Sequence, residues 1–152
     1  MSDREKKENK DRMLLPSEVV TIEQAQEIIG DEYVLKLKDS ALIQDANKVT
    51  AKYISEPLGA GDGVFIDIYE PSESFDEDAV MEKFEASRKK RTDFITLEDM
   101  GDDAYIAYPT LHLYSHGVYV AITAGSANTE EQMQLLTDLG EVAEKNLSQI
   151  FD

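Results

Sequence analysis

The sequence predicts a single α+β domain, in which a mainly antiparallel sheet of about six or seven strands is packed by three helices. The chain has 152 residues, which is enough for one domain. Three segments begin with a helix-capping pattern, and alternating apolar segments separated by short turns lie between them. Because no connection between strands is long enough for many parallel crossovers, we expect mainly antiparallel pairing.

The first thirteen residues are predicted to be a disordered, charged tail, and residues 14–152 a single domain. Nine of the eleven residues from Ser2 to Arg12 are charged, with both signs present, and none is apolar. Such a segment has no apolar surface to bury. The folded part is therefore expected to begin near Leu14.

The three predicted helices share a start signal, in which Ser or Thr is followed three residues later by Glu or Gln. The pairs are Thr21 with Gln24, Ser74 with Glu77, and Thr129 with Gln132. The helices are expected over about 22–29, 75–91 and 130–150. In the third helix, apolar residues recur every three or four positions, and Gly140 beside them would let the helix approach a sheet closely.

Seven strands are predicted at 33–37, 48–56, 64–70, 94–98, 104–108, 111–115 and 118–124. Three of them follow the first helix and four follow the second. The glycine-rich segment 58–63 superficially resembles a phosphate-binding loop. Because a strand follows it and not a helix, the segment is interpreted as a hairpin tip.

The dipeptide His116-Gly117 predicts a two-residue turn that fixes the register of the last two strands. Leu113 should then face Val120. One face of this hairpin is predicted to lie in the core and to carry Leu111, Leu113, Val118, Val120 and Ile122. The other face is predicted to carry His112, Tyr114, Tyr119, Ala121 and Thr123. An exposed edge within 111–124 would favour pairing between chains, and the oligomeric state stays open.

The composition argues against some classes of binding partner and is compatible with others. The chain has 15 basic and 32 acidic residues, which gives a formal charge of −17. This charge argues against binding to nucleic acids or to anionic membrane surfaces, and it is compatible with a basic protein, a basic peptide or a cation. Cysteine is absent, so disulfides, thiolate metal sites and Cys nucleophiles are excluded. No apolar run approaches the length of a transmembrane segment.

The tyrosine-bearing strands provide the candidate ligand-binding residues. Tyrosine combines apolar area with a polar end, which suits recognition surfaces. The alternative is an ordinary outer sheet face that a helix partly covers. The candidate residues are Tyr105, Tyr108, His112, Tyr114 and Tyr119.

An acidic loop provides the candidate metal ligands, because several carboxylates on a turn can bind Ca²⁺. The candidates are Glu98, Asp99, Asp102 and Asp103. The alternative is a turn in which Asp and Gly serve local conformation. Zinc binding by His112 and His116 is disfavoured, because their spacing falls on a strand and a turn. No cofactor is predicted.

No catalytic set is predicted, and the protein is interpreted as a non-enzyme. Ser115 precedes His116, but adjacent residues on a strand point in opposite directions, which argues against a Ser-His triad. The basic run 88–91 could dock an anion. The alternative is a helix end whose charges complement the helix dipole.

Two phrases carry a family resemblance: LLPSEVVTIEQAQEIIG, with Thr21, Glu23, Ala25 and Gly30, and LEDMGDDAYIAYP, with Gly101 to Tyr105. Residues 14–152 resemble the soluble domains of small Gram-positive surface lipoproteins of uncharacterised function. This resemblance implies a PsbP-like α/β sandwich and a membrane-anchored, extracellular protein. Mature lipoproteins of this kind begin with a lipidated Cys, which this chain lacks. The family has no established catalytic residues to carry over.

The function expected from these observations is that of a non-enzymatic, cell-surface or secreted lipoprotein-type domain that binds an unidentified ligand or protein partner. The first alternative is a cytoplasmic acidic inhibitor or immunity protein for a basic partner. From Leu14 onward the chain has 28 acidic and 10 basic residues, which motivates this alternative. The second alternative is a Ca²⁺-dependent binding module.

Overall fold

The computed structural model describes residues 14–29, 34–43, 48–56, 63–73, 75–90, 93–124 and 130–151. These residues form a seven-stranded antiparallel sheet and four helices, which confirms the predicted α+β class. The helices are α1 (Pro16–Val19), α2 (Ile22–Ile29), α3 (Glu77–Lys89) and α4 (Glu130–Phe151). The strands are β1 (Val34–Ile43), β2 (Lys48–Glu56), β3 (Gly63–Tyr69), β4 (Ile95–Thr96), β5 (Asp103–Ala107), β6 (Thr110–Ser115) and β7 (Val118–Ala124). The predicted tail and most of the predicted hairpin tip lie outside the described residues.

The sheet joins two antiparallel meanders in the order β1-β2-β3-β7-β6-β5-β4. The meanders meet where β3 pairs with β7, with Ile66 opposite Ile122. The chain leaves β3 in the middle of the sheet, forms α3, and re-enters at the outer strand β4. Strands β6 and β7 lie inside the sheet, so the exposed edge considered for residues 111–124 is not formed.

One face of the sheet carries the main core, against which α1, α2 and α4 pack. The five aliphatic residues predicted for this face of the β6–β7 hairpin are all buried in this core, which confirms the prediction. Helix α4 contributes its predicted stripe of Leu136, Leu139, Ala143 and Leu147. Within the described part of the chain, no helix combines the length and the apolar character that crossing a bilayer requires.

The opposite face of the sheet is covered by α3, whose Val80 and Phe84 are fully buried. The register of the β6–β7 hairpin is the predicted one, with Ser115 opposite Val118. Residues His116 and Gly117 have φ values of 55° and 77°. Positive φ at both positions is what a tight turn between right-twisted strands requires.

The helix starts follow the predicted pattern in one case and depart from it in another. At α2, the amide of Thr21 donates to Gln24 Oε1 and the amide of Gln24 donates to Thr21 Oγ1, both at 3.1 Å, which confirms that capping box. At α3, the capping side chain is Asp76, which accepts from the amide of Ala79 at 2.9 Å. The prediction of a start near Ser74 and Phe75 is therefore wrong. Ser74 and Thr129 lie outside the described residues.

Three elements differ in length from their predictions. Strand β1 is ten residues long and extends well beyond the predicted 33–37, with an irregular register between Leu37 and Asp39. Strand β4 is reduced to two residues. Helix α1 was not predicted, because a four-residue helix is too short to show apolar periodicity. Pro16 occupies its first position, where a backbone N–H would have no acceptor within the helix, so the lack of this N–H in proline does not destabilise the helix.

Candidate functional site

The second face of the sheet and α3 enclose an aromatic layer, defined here as Tyr69, Phe84, Tyr105, His112, Tyr114 and Tyr119. The rings of Tyr69 and Tyr119 stack with centroids 4.9 Å apart, and those of Tyr105 and His112 with centroids 4.4 Å apart. Phe84 reaches down from α3 and makes an edge contact with Tyr119 at 5.4 Å. Such stacked and edge contacts add to the stabilisation that burial provides.

A chain of polar contacts runs through this layer. Nδ1 of His112 lies 2.6 Å from the hydroxyl of Tyr119, and that hydroxyl donates to Oγ of Ser87 on α3 at 3.1 Å. Burial raises the pKa of Tyr119 above its ordinary value, although the hydrogen bond to Ser87 opposes this effect. Tyr119 therefore stays neutral across the physiological range and acts in this layer as a hydrogen-bonding group.

An ion pair closes the layer at the C-terminal end of α3. The guanidinium of Arg88 donates to both carboxylate oxygens of Asp103 on β5, and also to Glu85 at 2.9 Å. Its carbon lies 5.1 Å from the ring centroid of Phe84 and 5.3 Å from that of Tyr105. A forked, stacked arginine of this kind fixes α3 on the sheet.

Four of the five predicted ligand-binding residues belong to this layer and are buried. Tyr105, His112, Tyr114 and Tyr119 are 0, 6, 6 and 3% exposed. Tyr108 is half-buried in the β5–β6 turn, outside the layer. Because α3 occupies the surface on which a ligand was expected, a partner could reach most of these rings only after displacement of the helix. Ligand binding by these residues stays a prediction.

The predicted metal ligands are not brought together. Asp103 is bound to Arg88, whereas Glu98, Asp99 and Asp102 are exposed on the preceding loop. Among the residues described, no three His, Asp or Glu side chains are close enough to hold a metal ion. His112 and His116 are likewise separated, since His112 is hydrogen-bonded to Tyr119 within the aromatic layer and His116 stacks on Phe151 of α4.

A different group of carboxylates gathers at one end of the sheet, and we call it the acidic end: Glu77, Asp78 and Asp102. The amide of Asp102 donates to the carbonyl of Tyr114 at 2.9 Å. Glu77 lies beside the β6–β7 turn, where a Cβ added to Gly117 would be 3.0 Å from its Oε1. No Lys or Arg in the described ranges forms an ion pair with these three residues.

Ser115 and His116 are in contact, contrary to the expectation that adjacent residues diverge. Oγ of Ser115 lies 2.8 Å from Nδ1 of His116. The alternation of side chains ends at His116, because its left-handed backbone turns the ring back toward the strand. Ser115 is 2% exposed, so a substrate has no access to its oxygen in this structure.

Two further candidates from the sequence are the basic run 88–91 and the glycine-rich segment 58–63. In the basic run 88–91, Arg88 is occupied by Asp103 and Glu85, and Arg91 is outside the described residues. Of the glycine-rich segment, only Gly63 is described, at the start of β3. Tyr69 and Ser87 were not among the predicted site residues. Tyr69 could have been identified from its position at the end of a strand that is rich in apolar residues.

Comparisons with models of known protein families, with curated proteins and with solved structures gave no match to this chain.

Proposed function

We propose that this protein is a non-enzymatic binding domain whose acidic end docks a positively charged protein partner. The observation that carries the proposal is the presence of Glu77, Asp78 and Asp102 at one end of the sheet without a basic partner among the described residues. A partner that supplies Lys or Arg side chains would complete these contacts. The formal charge of −17 favours the same class of partner through long-range attraction.

Burial of the aromatic layer supports a binding role over catalysis. The hydrogen-bonded His112, Tyr119 and Ser87 lie between α3 and the sheet, and the two aromatic residues are nearly inaccessible. Their contacts fix α3 on the sheet, and α3 in turn presents Glu77 and Asp78 at its first turn. The layer therefore acts as a rigid support for the acidic end.

We further propose that the domain works outside the cell, in keeping with the resemblance of its sequence to Gram-positive surface lipoproteins. Fractionation of the native host, with detection of the protein by antibody, tests this location. Detection in the cytoplasmic fraction would instead favour an acidic inhibitor or immunity protein, which would use the same surface.

A charge-matched pair of variants tests the binding proposal. The first variant is Glu77→Gln/Asp78→Asn/Asp102→Asn, and the control is Glu130→Gln/Glu131→Gln/Glu141→Gln on exposed positions of α4. Both variants remove three negative charges. Binding of a labelled oligolysine peptide is measured by fluorescence anisotropy at about 20 mM and about 300 mM salt, where screening differs strongly.

The acidic-end variant should bind the peptide about tenfold more weakly than the control at low salt, and high salt should reduce the difference. Equal losses in the two variants would mean that the peptide responds only to net charge. That result, or no binding by the wild type, would overturn the proposal.

A further inference from the structure

We propose that strand β4 is the contact through which two copies of this chain pair, with the two β4 strands antiparallel about a two-fold axis. This surface is separate from the acidic end, so the inference does not depend on the proposed function. Three observations carry it. The sheet is open at β4, both apolar layers of the fold end there with exposed side chains, and charges of opposite sign precede and follow the strand.

Strand β4 is the last strand of the described sheet and has a neighbour on one side only. The amide of Leu97 donates to the carbonyl of Ala104 at 2.9 Å, and hydrogen bonds in an antiparallel pair alternate along the strand. The amide and the carbonyl of Thr96 therefore point away from β5. A strand from a second copy can bond to these groups without displacing any strand of the described sheet.

Both faces of the sheet leave an apolar side chain exposed at this edge. Ile95 lies opposite Ile106, which belongs to the main core, and is 54% exposed. On the other face, the ring of Phe94 makes an edge contact with Tyr105 of the aromatic layer at 5.4 Å and is 39% exposed. Ile95 and Phe94 are the most exposed large hydrophobic residues among those described. A second sheet joined at β4 would continue both layers and cover these side chains.

Protection of the edge does not account for these side chains. Soluble proteins usually protect an edge strand from pairing by short length, by charged side chains or by proline. Strand β4 is short, but its two residues, Ile95 and Thr96, are uncharged, and an apolar residue stands on either side of them. The exposed apolar side chains are better explained by a partner that covers them.

Basic residues lie near the start of β4. Lys89 and Lys90 are exposed at the C-terminal end of α3, and neither forms an ion pair with a described residue. The neighbouring Arg88 shows that this end of the helix is close to β4. Its guanidinium carbon lies 5.3 Å from the ring centroid of Tyr105, and the ring of Phe94 lies 5.4 Å from the same centroid.

Acidic residues follow β4, since Glu98 and Asp99 are exposed on the next loop. In an antiparallel pair, the start of each strand lies beside the end of the other. The basic helix end of each copy would therefore approach the acidic loop of the other copy. A parallel pair would bring like charges together. Asp93, which precedes the strand, offsets only part of the positive charge on its side.

The pairing is expected to be weak, because β4 is short and each copy has a net charge of −17. Sedimentation velocity of the full chain at about 150 mM salt, where long-range repulsion is screened, tests it between about 5 and about 500 µM protein. The wild type should shift from monomer to dimer over this range.

A charge placed at the edge should prevent the pairing. Ile95→Lys should raise the Kd of the dimer by about tenfold or more. The control Phe65→Lys adds the same charge at an exposed hydrophobic residue of the interior strand β3, and it should leave the Kd unchanged. Thermal unfolding of each variant verifies that it is folded.

An exchange of charges tests the antiparallel orientation. One variant is Lys89→Glu/Lys90→Glu, and the other is Glu98→Lys/Asp99→Asn, in which Asn tolerates the φ of 63° at position 99. Each variant alone should dimerise about tenfold more weakly than the wild type, because like charges meet at both ends of the contact. An equimolar mixture should recover most of the wild-type affinity, because the mixed dimer has opposite charges at both ends.

A control pair makes the same changes in charge at exposed positions outside β4 and its flanking segments: Lys52→Glu/Lys145→Glu and Glu130→Lys/Glu131→Gln. Mixing these two variants should give no gain in affinity over the variants alone. A wild type that stays monomeric up to about 500 µM would overturn the proposal, as would a dimer that Ile95→Lys does not weaken. A mixture of the two β4 charge variants that dimerises no better than either alone would also overturn it.

Discussion

The hydroxyl of Tyr119 lies 2.6 Å from Nδ1 of His112, and the direction of this hydrogen bond follows from the next one. Tyr119 donates its only hydroxyl proton to Oγ of Ser87, and Ser87 in turn donates to the carbonyl of Lys83 at 3.1 Å. Tyr119 therefore accepts from His112, which means that Nδ1 of His112 carries a proton. The chain of donors runs in one direction, from the sheet into the backbone of α3.

Replacement of Tyr119 by Phe should lower the free energy of unfolding by about 1–3 kcal/mol, because it leaves the buried Nδ1–H of His112 without its acceptor. Urea unfolding measures this loss. The matched variant Ser87→Ala removes a less buried partner and should cost about 1 kcal/mol. Nitrogen NMR of the His112 ring provides an independent measurement. A signal for unprotonated Nδ1 at neutral pH would contradict the inferred direction.

Replacement of Arg88 by Lys should lower the free energy of unfolding by about 1–2 kcal/mol, although the charge is kept. Lysine cannot form the two-pronged contact with Asp103 or stack on Phe84 and Tyr105 as the guanidinium does. The control Lys89→Ala changes an exposed neighbour and should alter stability by less than about 0.5 kcal/mol. Equal stability of Arg88→Lys and the wild type would mean that the guanidinium contacts with Asp103 and the two rings contribute little to the free energy of unfolding.

Local signals in the sequence were sufficient to predict most of the helices and strands, though not all of their bounds, and the register of one strand pair. His116-Gly117 fixes the β6–β7 pairing because two adjacent residues determine the turn, and the faces then follow from alternation. The capping box at Thr21 is equally local. The start of α3 was misplaced because three capping-type residues, Ser74, Asp76 and Asp78, lie close together, and the pattern alone does not choose between them.

The contacts that build the candidate site are not local, and the sequence alone did not indicate them. Strand β3 pairs with β7 through residues such as Val64 and Ala124, which are far apart in the chain. The covering of the tyrosines by α3 depends on this topology. Composition predicted an acidic surface, but only the fold shows that Glu77 lies beside the β6–β7 turn and that the main chain of Asp102 is hydrogen-bonded to that of Tyr114.

Replacement of Gly140 by Ala should lower the free energy of unfolding by about 1 kcal/mol, even though alanine favours helices. A Cβ at this position would lie 2.7 Å from Cδ1 of Leu111 and 2.9 Å from Sδ of Met100. Overpacking in a filled core costs about 1–3 kcal/mol, which exceeds the gain in helix propensity of about 1 kcal/mol. In a double-mutant cycle with Leu111→Ala, the clash should disappear and the coupling should be favourable. A stabilised Gly140→Ala variant would show that Leu111 and Met100 move aside easily.

Replacement of Glu70 by Gln should stabilise the protein at neutral pH and flatten the dependence of its stability on pH. Burial raises the pKa of Glu70 above its ordinary value of 4.5, and the nearby charge of Glu18 raises it further, while the hydrogen bond from the Leu14 amide at 3.0 Å opposes the shift. A carboxyl with a raised folded pKa binds more protons in the folded state than in the unfolded state. Its contribution to stability is therefore greatest in acid and is lost as the pH rises from the ordinary value through the folded pKa.

The Gln side chain can still accept from the Leu14 amide but carries no charge, so the advantage of Glu70→Gln should be larger at about pH 7 than at about pH 4. Thermal unfolding of the variant and the wild type at both pH values measures this difference. Glu73→Gln, which changes an exposed residue three positions further along the chain, controls for the removal of one negative charge. If Glu73→Gln gave the same gain, relief of the net charge of −17 would explain the result, and Glu70 would have no special role.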